Sequence, residues 1–349
     1  MLTRRRRSEG QALVLVSLAF VFLVACAGLS LDGANAFGQS RRVSNAADAA
    51  SLAATRVLLS IQRSGQPGLA ISNTIREFLV NDNSIDANRS TWQASYVSRD
   101  APDTIIAPVS NGTVPPANAS GIRVDLRFTF DTLFMRVLGQ DTLTVGAMST
   151  SVYGPLGSTT GADIIPLGLS VSASNTLQGN GSIRVDLKGT IVRALNVNDP
   201  IPPDVITDAN FAHVALGALP SGHGNANGCY NPNVDGNLTY WWCNGTQSPV
   251  QIGQDLPRIA PNWGQGDLNS AIIHHIQHQA TAIVPVYSQV PDGLGGVTLQ
   301  LAYFMGADLS YTNGRGVLTM TLRNDYIASG AMIGQGSAVT GVWAVNLKR

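Results

Sequence analysis

From Ala12 to Leu31 the chain runs for 20 residues without a charge, ALVLVSLAFVFLVACAGLSL, a few residues after the basic cluster Arg4, Arg5, Arg6 and Arg7. At 1.5 Å per residue a helix of that length covers about 30 Å, the thickness of a bilayer's hydrocarbon core. The basic flank should stay in the cytoplasm, which sends the remaining residues, about 318 of them, across the membrane. Two other readings of the same segment stay open. A cleaved signal peptide would have a shorter apolar region, roughly 7 to 15 residues. Leu23-Val24-Ala25-Cys26 is similar to a bacterial lipobox, and cleavage before Cys26 would leave a lipid-anchored protein. All three readings export the same body, and the expected one is the uncleaved single-pass anchor.

The next segment reads as a continuation of the same helix. Val43, Ala47, Ala50, Ala54, Val57 and Ile61 recur at spacings 4-3-4-3-4. That is a heptad seam, and alanine fills much of it. Leu58 and Leu59 thicken it, and Gly65 with Pro67 ends it. A helix from Gln11 to Arg63 would be about 80 Å long, with Gly28, Gly33 and Gly38 as places where it can bend. The seam has two uses open to it: packing on the chain's own domain, or packing laterally with partner helices as a stalk in an assembly.

The polar landmarks on both sides of the span carry a family resemblance. They are Gly10-Gln11-Ala12-Leu13-Val14 before it, then Asp32-Gly33, Gln39, Arg41-Arg42 and Asn45-Ala46-Ala47-Asp48-Ala49-Ala50-Ser51-Leu52-Ala53 after it. This order resembles the TadG-like (TadE/G) amino-terminal module of Flp pilus-assembly proteins. The later stretches Ile122–Leu126, Phe134–Gly139 and Leu143–Ala147 look like the strand, helix and strand that often follow in such proteins. Beyond Gly154 the likeness is thin. Processed pseudopilins carry a Gly a few residues before a Glu-Tyr pair, whereas here Glu9 is followed by Gly10 and no Tyr is present. The chain is therefore more similar to the uncleaved anchored members than to a pilin subunit.

The exported body reads as α+β and strand-rich. Ile71, Ile75, Phe78 and Leu79 mark a short amphipathic helix. Ile122, Val124, Leu126, Phe128 and Phe130 alternate with Arg123, Asp125, Arg127 and Thr129, the period of a half-buried strand. Thr132 to Leu138 predicts a helical turn, and Leu143 to Tyr153 a further strand. Residues 99–121 hold Pro102, Pro108, Pro115 and Pro116 and read as an exposed loop. Gly154–Gly161 (GPLGSTTG) reads as a linker. Strand-like runs follow at Ile183–Leu187, Ala282–Val290, Val297–Tyr303, Val317–Leu322 and Val342–Leu347, with a helix near Leu268–Gln279. The expected domains are 1–63 (basic flank, transmembrane helix and stalk), 64–154 (a small α+β domain) and 162–349 (a β-rich domain), both domains extracytoplasmic.

Composition narrows the function. Charged residues make up 13% of the chain, against roughly 25% in ordinary soluble domains. There are 20 Arg to two Lys and 20 Asp to two Glu, a balance suited to turns and strands rather than solvated helices. The net charge is zero, which provides no basic face for nucleic acid. At 44% apolar, the chain is too hydrophobic for wholesale disorder.

Few residues have the chemistry of a site. Cys229 and Cys243 bracket 13 residues that include Tyr230, Tyr240, Trp241 and Trp242, and in an oxidising compartment they should form a disulfide. Asn231, Asn233, Asp235 and Gly236 mimic the start of a calcium loop, but its twelfth position is Trp242, where a bidentate Glu is needed. His274 and His278 have the i, i+4 spacing of a zinc pair on one helix face. His275 stands where the metalloprotease motif has Glu, and no third ligand is evident. The three histidines therefore read as an ordinary polar helix face. Nucleophile-elbow and phosphate-loop motifs are missing from the sequence.

These readings converge on a membrane-anchored protein with no catalytic, metal or cofactor residues assigned. It is expected to be a non-enzymatic component of Flp/Tad-type pilus assembly, making contacts with other pilus-assembly or envelope proteins through its N-terminal helix and exported body. The competing expectation is an anchored surface-exposed binding protein that holds carbohydrate or another ligand through its Trp-rich disulfide loop.

Overall fold

A computed structural model describes residues 6–348 apart from 65–68, 162, 178–181, 187–192, 197–210, 218–236, 260–267, 280, 294–295, 313–316, 324–325, 329–330 and 335–341. The chain divides into two compact units, Met1–Val152 with Leu347–Arg349, and Tyr153–Asn346. As the sequence led us to expect, a long N-terminal apolar helix is followed by a strand-rich body, α+β in class.

The first unit is a helical layer on an antiparallel sheet. Helix α1 (Arg6–Ser64) is continuous for 59 residues, about 88 Å at 1.5 Å per residue, and passes through Gly28, Gly33 and Gly38 without a break. Helix α2 (Leu69–Arg76) leads into a π-helical turn, Glu77–Asp82. Strands β1 (Ser90–Val97), β2 (Ile105–Pro108), β3 (Gly121–Asp131) and β4 (Thr142–Gly161) follow. Their order is β2-β1-β3-β4, each neighbour antiparallel. The period-two pattern of β3 is realised in full: Ile122, Val124, Leu126, Phe128 and Phe130 are all buried. Ile71, Ile75 and Leu79 of the second helical segment are buried as well. Each such apolar side chain contributes about 1.5–3 kcal/mol on leaving water.

Two expectations need correction here. Gly154–Gly161 is not a linker but the second half of β4. There Gly157 allows the backbone at Gly334 to approach so closely that a Cβ on it would fall 2.4 Å from the Gly334 Cα. Glycine in that stretch serves close strand contact rather than flexibility. Residues 99–121 are not wholly loop, since β2 pairs with β1 through Ser95–Pro108, Tyr96–Ala107 and Val97–Ile105. Proline is tolerated because Pro108 ends an edge strand. Strand β1 itself, with Ser90, Gln93 and Ser95 interrupting its apolar residues, has no clean period to announce it.

The second unit contains β5 (Leu167–Ser170), α3 (Val171–Leu177), β6 (Ser182–Asp186), β7 (Arg193–Asn196), β8 (Phe211–His213), α4 (Asn237–Asn244) and β9 (Thr246–Gln251). It continues with α5 (Leu268–His278), β10 (Thr281–Pro291), β11 (Val297–Thr312), β12 (Val317–Arg323), β13 (Ile327–Ala328), β14 (Met332–Ile333) and β15 (Trp343–Lys348). A seven-stranded sheet has the order β7-β6-β12-β11-β10-β5-β8. Its β10–β5 pair is parallel and the remaining pairs antiparallel. The second half of β4 pairs with β9 and β14.

The aromatic run before Cys243 is core, not surface. Helix α4 buries Tyr240, Trp241, Trp242 and Cys243. Cys229 and the calcium-like Asn231, Asn233, Asp235 and Gly236 lie outside the described residues. The histidine face also departs from expectation. His275 is 3% exposed, because α5 turns that side onto α4. The His275 ring meets Trp242 edge-on, with centroids 5.6 Å apart, and its Nδ1 lies 3.2 Å from the Trp242 carbonyl oxygen. His274 and His278 stand on the outer side with rings 4.2 Å apart. His278 Nδ1 is 2.9 Å from the His274 carbonyl oxygen, so that nitrogen is engaged with its own helix.

Burial pushes His275 down to about 4, with the Trp242 carbonyl opposing the shift and nearby His274 adding to it. Burial likewise pushes His213 on β8 down to about 4, partly offset by the Pro166 carbonyl. Both rings are neutral in the folded protein at pH values where the unfolded chain, titrating near 6.5, binds protons. Folding stability should therefore be fully present above about pH 6.5 and fall as pH drops towards 4, by about 1.4 kcal/mol per pH unit for each histidine. A melting series across that window tests this. His275→Asn should flatten the slope, and an equally steep slope in that variant would exclude His275 as a source.

Candidate functional site

The candidate site of the first unit is the junction at which the apolar half of α1 gives way to the packed half. Among the described residues α1 contains the one helix segment long and apolar enough to cross a membrane. Its large apolar side chains from Leu13 to Val24 are all exposed. From Val43 onward the same helix is core. The change of environment occurs between these points, and Asp32 stands within it.

Asp32 is 1% exposed. Its Oδ1 accepts the backbone N–H of Leu133 at 2.8 Å, and its Oδ2 accepts those of Phe134 at 2.9 Å and Met135 at 2.6 Å. These amides open the 3₁₀ turn Met135–Leu138 between β3 and β4. Helix termini expose unpaired N–H groups, and a carboxylate satisfies them with the right charge. The cap here comes from more than 100 residues upstream rather than from the adjoining chain. One turn before Asp32, Gly28 receives the Phe134 ring. A Cβ on Gly28 would fall 2.5 to 2.8 Å from three carbons of that side chain, so only glycine lets the turn lie flat on the helix.

Arg42 makes a second clasp. Its Nε donates to the Asn83 carbonyl at 3.2 Å, and its Nη2 donates to the Ser84 carbonyl. Ser84 sits at φ 53, the left-handed region that ends the π-helical segment. The Asn83 side chain donates to the Phe78 carbonyl at 2.7 Å. Arg42 thus holds the end of the second helical segment against the first.

The seam lies beyond these clasps. Val43, Ala47, Ala50, Ala54 and Ile61 are buried and Val57 is half-buried. α1 packs here on β3, α2 and the π-helical turn. Small side chains bring the helix close enough for hydroxyls to meet across the layer. The Ser51 and Ser149 hydroxyls are 3.0 Å apart, those of Thr55 and Ser151 are 2.5 Å apart, and Ser151 donates to the Ser51 carbonyl at 2.6 Å. Buried hydroxyls cost stability unless paired, and here each finds a partner only in this register. This face of the helix is filled by the chain itself.

On the face of the sheet away from α1, an open groove of about 720 Å³ is bordered by Thr91, Gln93, Asp125, Arg127 and Met148. Arg123 and Asp125 pair along its edge at 3.1 Å. Among the described residues no group of three or more His, Cys, Asp or Glu side chains could hold a metal ion.

The family model for Flp pilus-assembly TadE/G-like proteins (Tad) matches residues 10–57. No curated protein and no solved structure matches the chain. The matched segment runs from the head of the apolar helix through both clasps and most of the seam. Its landmarks Asp32 and Arg42 are therefore contact residues of the junction, while Gln39 reaches the Asn35 side chain at 3.4 Å within α1. Nothing in the sequence pairs Asp32 with Leu133–Met135. The signal that could have raised the question is a lone carboxylate directly after an apolar span.

Replacing Asp32 with Ala leaves three amide donors without their acceptor. Hydrogen exchange at Leu133, Phe134 and Met135, measured in micelles, should accelerate by roughly tenfold or more. Amides of β1, such as Trp92, should be unaffected. Unchanged protection at the three amides would show that the carboxylate does not hold the turn.

Proposed function

We propose that the protein is a single-pass, membrane-anchored, non-enzymatic component of Flp/Tad-type pilus assembly. In this reading Arg4–Arg7 remain in the cytoplasm, and the second unit and the part of the first unit beyond the span lie on the far side of the membrane, where they work through protein contacts. The observation that carries it is the coincidence between the matched residues and the junction. The residues shared with the pilus-assembly module are the ones that tie a lipid-crossing helix rigidly to an exported domain. A module built this way presents its domain at a set height and orientation, which suits a scaffold in an envelope apparatus.

Burial of Tyr240, Trp241 and Trp242 favours this reading over ligand capture by a Trp-rich loop, since their rings pack in the core of the second unit. We assign Cys229 and Cys243 a stabilising disulfide. Closing a loop of about 15 residues contributes about 3 kcal/mol in the chain-entropy model. Mass spectrometry of the unreduced protein should find these two cysteines linked, and two alkylatable thiols would refute the pairing.

The role itself is tested by deleting the gene in its native host and imaging the cell surface. Pili should be lost or sparse, with recovery on expressing the full chain. Normal pili and normal adhesion in the deletion strain would defeat the assembly role.

A further inference from the structure

The turn capped by Asp32 has a composition that its capping role does not require. Leu133 is 66% exposed and Val137 85% exposed, and Phe134 beside them is only partly covered. Neighbouring apolar side chains exposed to this degree on a short turn mark a surface with a partner. Their position says which one. Phe134 packs on Gly28, four residues before Asp32 and inside the uncharged run, so its side chain reaches a level about 6 Å down the helix axis from Asp32, towards the span. Leu29 and Leu31, on the same stretch of helix, are exposed too. The apolar surface of the turn is continuous with the surface of the span.

The backbone of the turn fits the same environment. Non-helical chain is tolerated near lipid only where its polar groups are satisfied within the protein. Thr132 N–H donates to the Asp141 carbonyl, and Leu133, Phe134 and Met135 donate to Asp32. Val137 donates to the Phe134 carbonyl, Gly139 to Arg136 and Gln140 to Met135. The Thr132 hydroxyl donates to the Gln140 carbonyl. Arg136, exposed and 3.4 Å from Asp141, supplies the one cation on the turn.

We propose that the Thr132–Gln140 turn is a second membrane contact, with Leu133, Phe134 and Val137 seated in the interface of the same bilayer that α1 crosses. One helix fixes the height of the domain but leaves it free to swing about the helix axis and to tilt. A second contact beside it removes that freedom, so the sheet of the first unit meets the membrane at one angle. The inference rests on α1 being a membrane anchor, and the test separates the two.

An environment-sensitive fluorescent amino acid is incorporated at position 137, and in separate proteins at Phe20 in the span and at Val114, an exposed site in the loop between β2 and β3. Each full-length protein is reconstituted into phosphatidylcholine–phosphatidylglycerol vesicles. Aqueous iodide should quench the probe at 137 roughly threefold or more weakly than at 114, while lipid brominated near the headgroup should quench 137 and spare 114. A probe at 137 as open to iodide as at 114, with position 20 shielded, overturns the second contact and leaves the anchor standing. Iodide access at both 20 and 137 overturns both.

Discussion

A single carboxylate joins the two lives of helix α1. Before Asp32 the helix shows lipid-compatible side chains on every side, and soon after it the helix is the core element of a folded domain. Asp32 accepts three backbone N–H groups from the turn between β3 and β4, and this is possible only if helix and sheet keep one rotational setting. Shifting the helix by one residue would swing the carboxylate by about 100°, leaving three amides unsatisfied beside an apolar span. It would also bring a bulkier side chain to the place where Phe134 needs Gly28. The cap therefore sets the register for everything packed beyond it.

With that register set, the alanine seam becomes intelligible. Ala47, Ala50 and Ala54 are small because the helix lies on β3 and β4 close enough for Ser51 and Thr55 to meet Ser149 and Ser151. A heptad seam of small residues suits helix-on-helix packing and helix-on-sheet packing alike. The deciding factor is which hydroxyls stand opposite, and those come from residues about 100 positions downstream. Since the chain fills its own seam, that face of α1 is closed to a partner helix.

Much of the scaffold was legible without coordinates. The span, the period-two run of β3, the strands at Val317–Leu322 and Val342–Leu347 and the helix from Leu268 each carry a local period strong enough to stand alone. β1 and β2 were not legible. Their residues alternate poorly because the sheet, and not the local sequence, recruits them. Gly154–Gly161 looked like a linker because glycine and serine also serve where strands approach closely. The aromatic run at Tyr240–Trp242 left an exposed binding loop open as the competing reading, since aromatic composition does not distinguish a ligand platform from a core helix. His275 has two histidines nearby, yet it alone is buried, since α5 presents that angle to Trp242.

By itself the sequence determined where a helix is long and apolar enough to cross a membrane, that a long helix carries a small-residue seam, and that a strand-rich body follows. These properties rest on neighbours within a few turns, whose spacing is the cause of the structure they form. Only the tertiary structure decided that Asp32 is a cap, that Gly28 is a seat for Phe134, that Arg42 closes the second helical segment, and that the seam is filled from within. Each of those depends on groups tens to about a hundred residues apart meeting at hydrogen-bond or van der Waals distance. Such meetings are fixed by the register of a helix on a sheet, which no local period encodes.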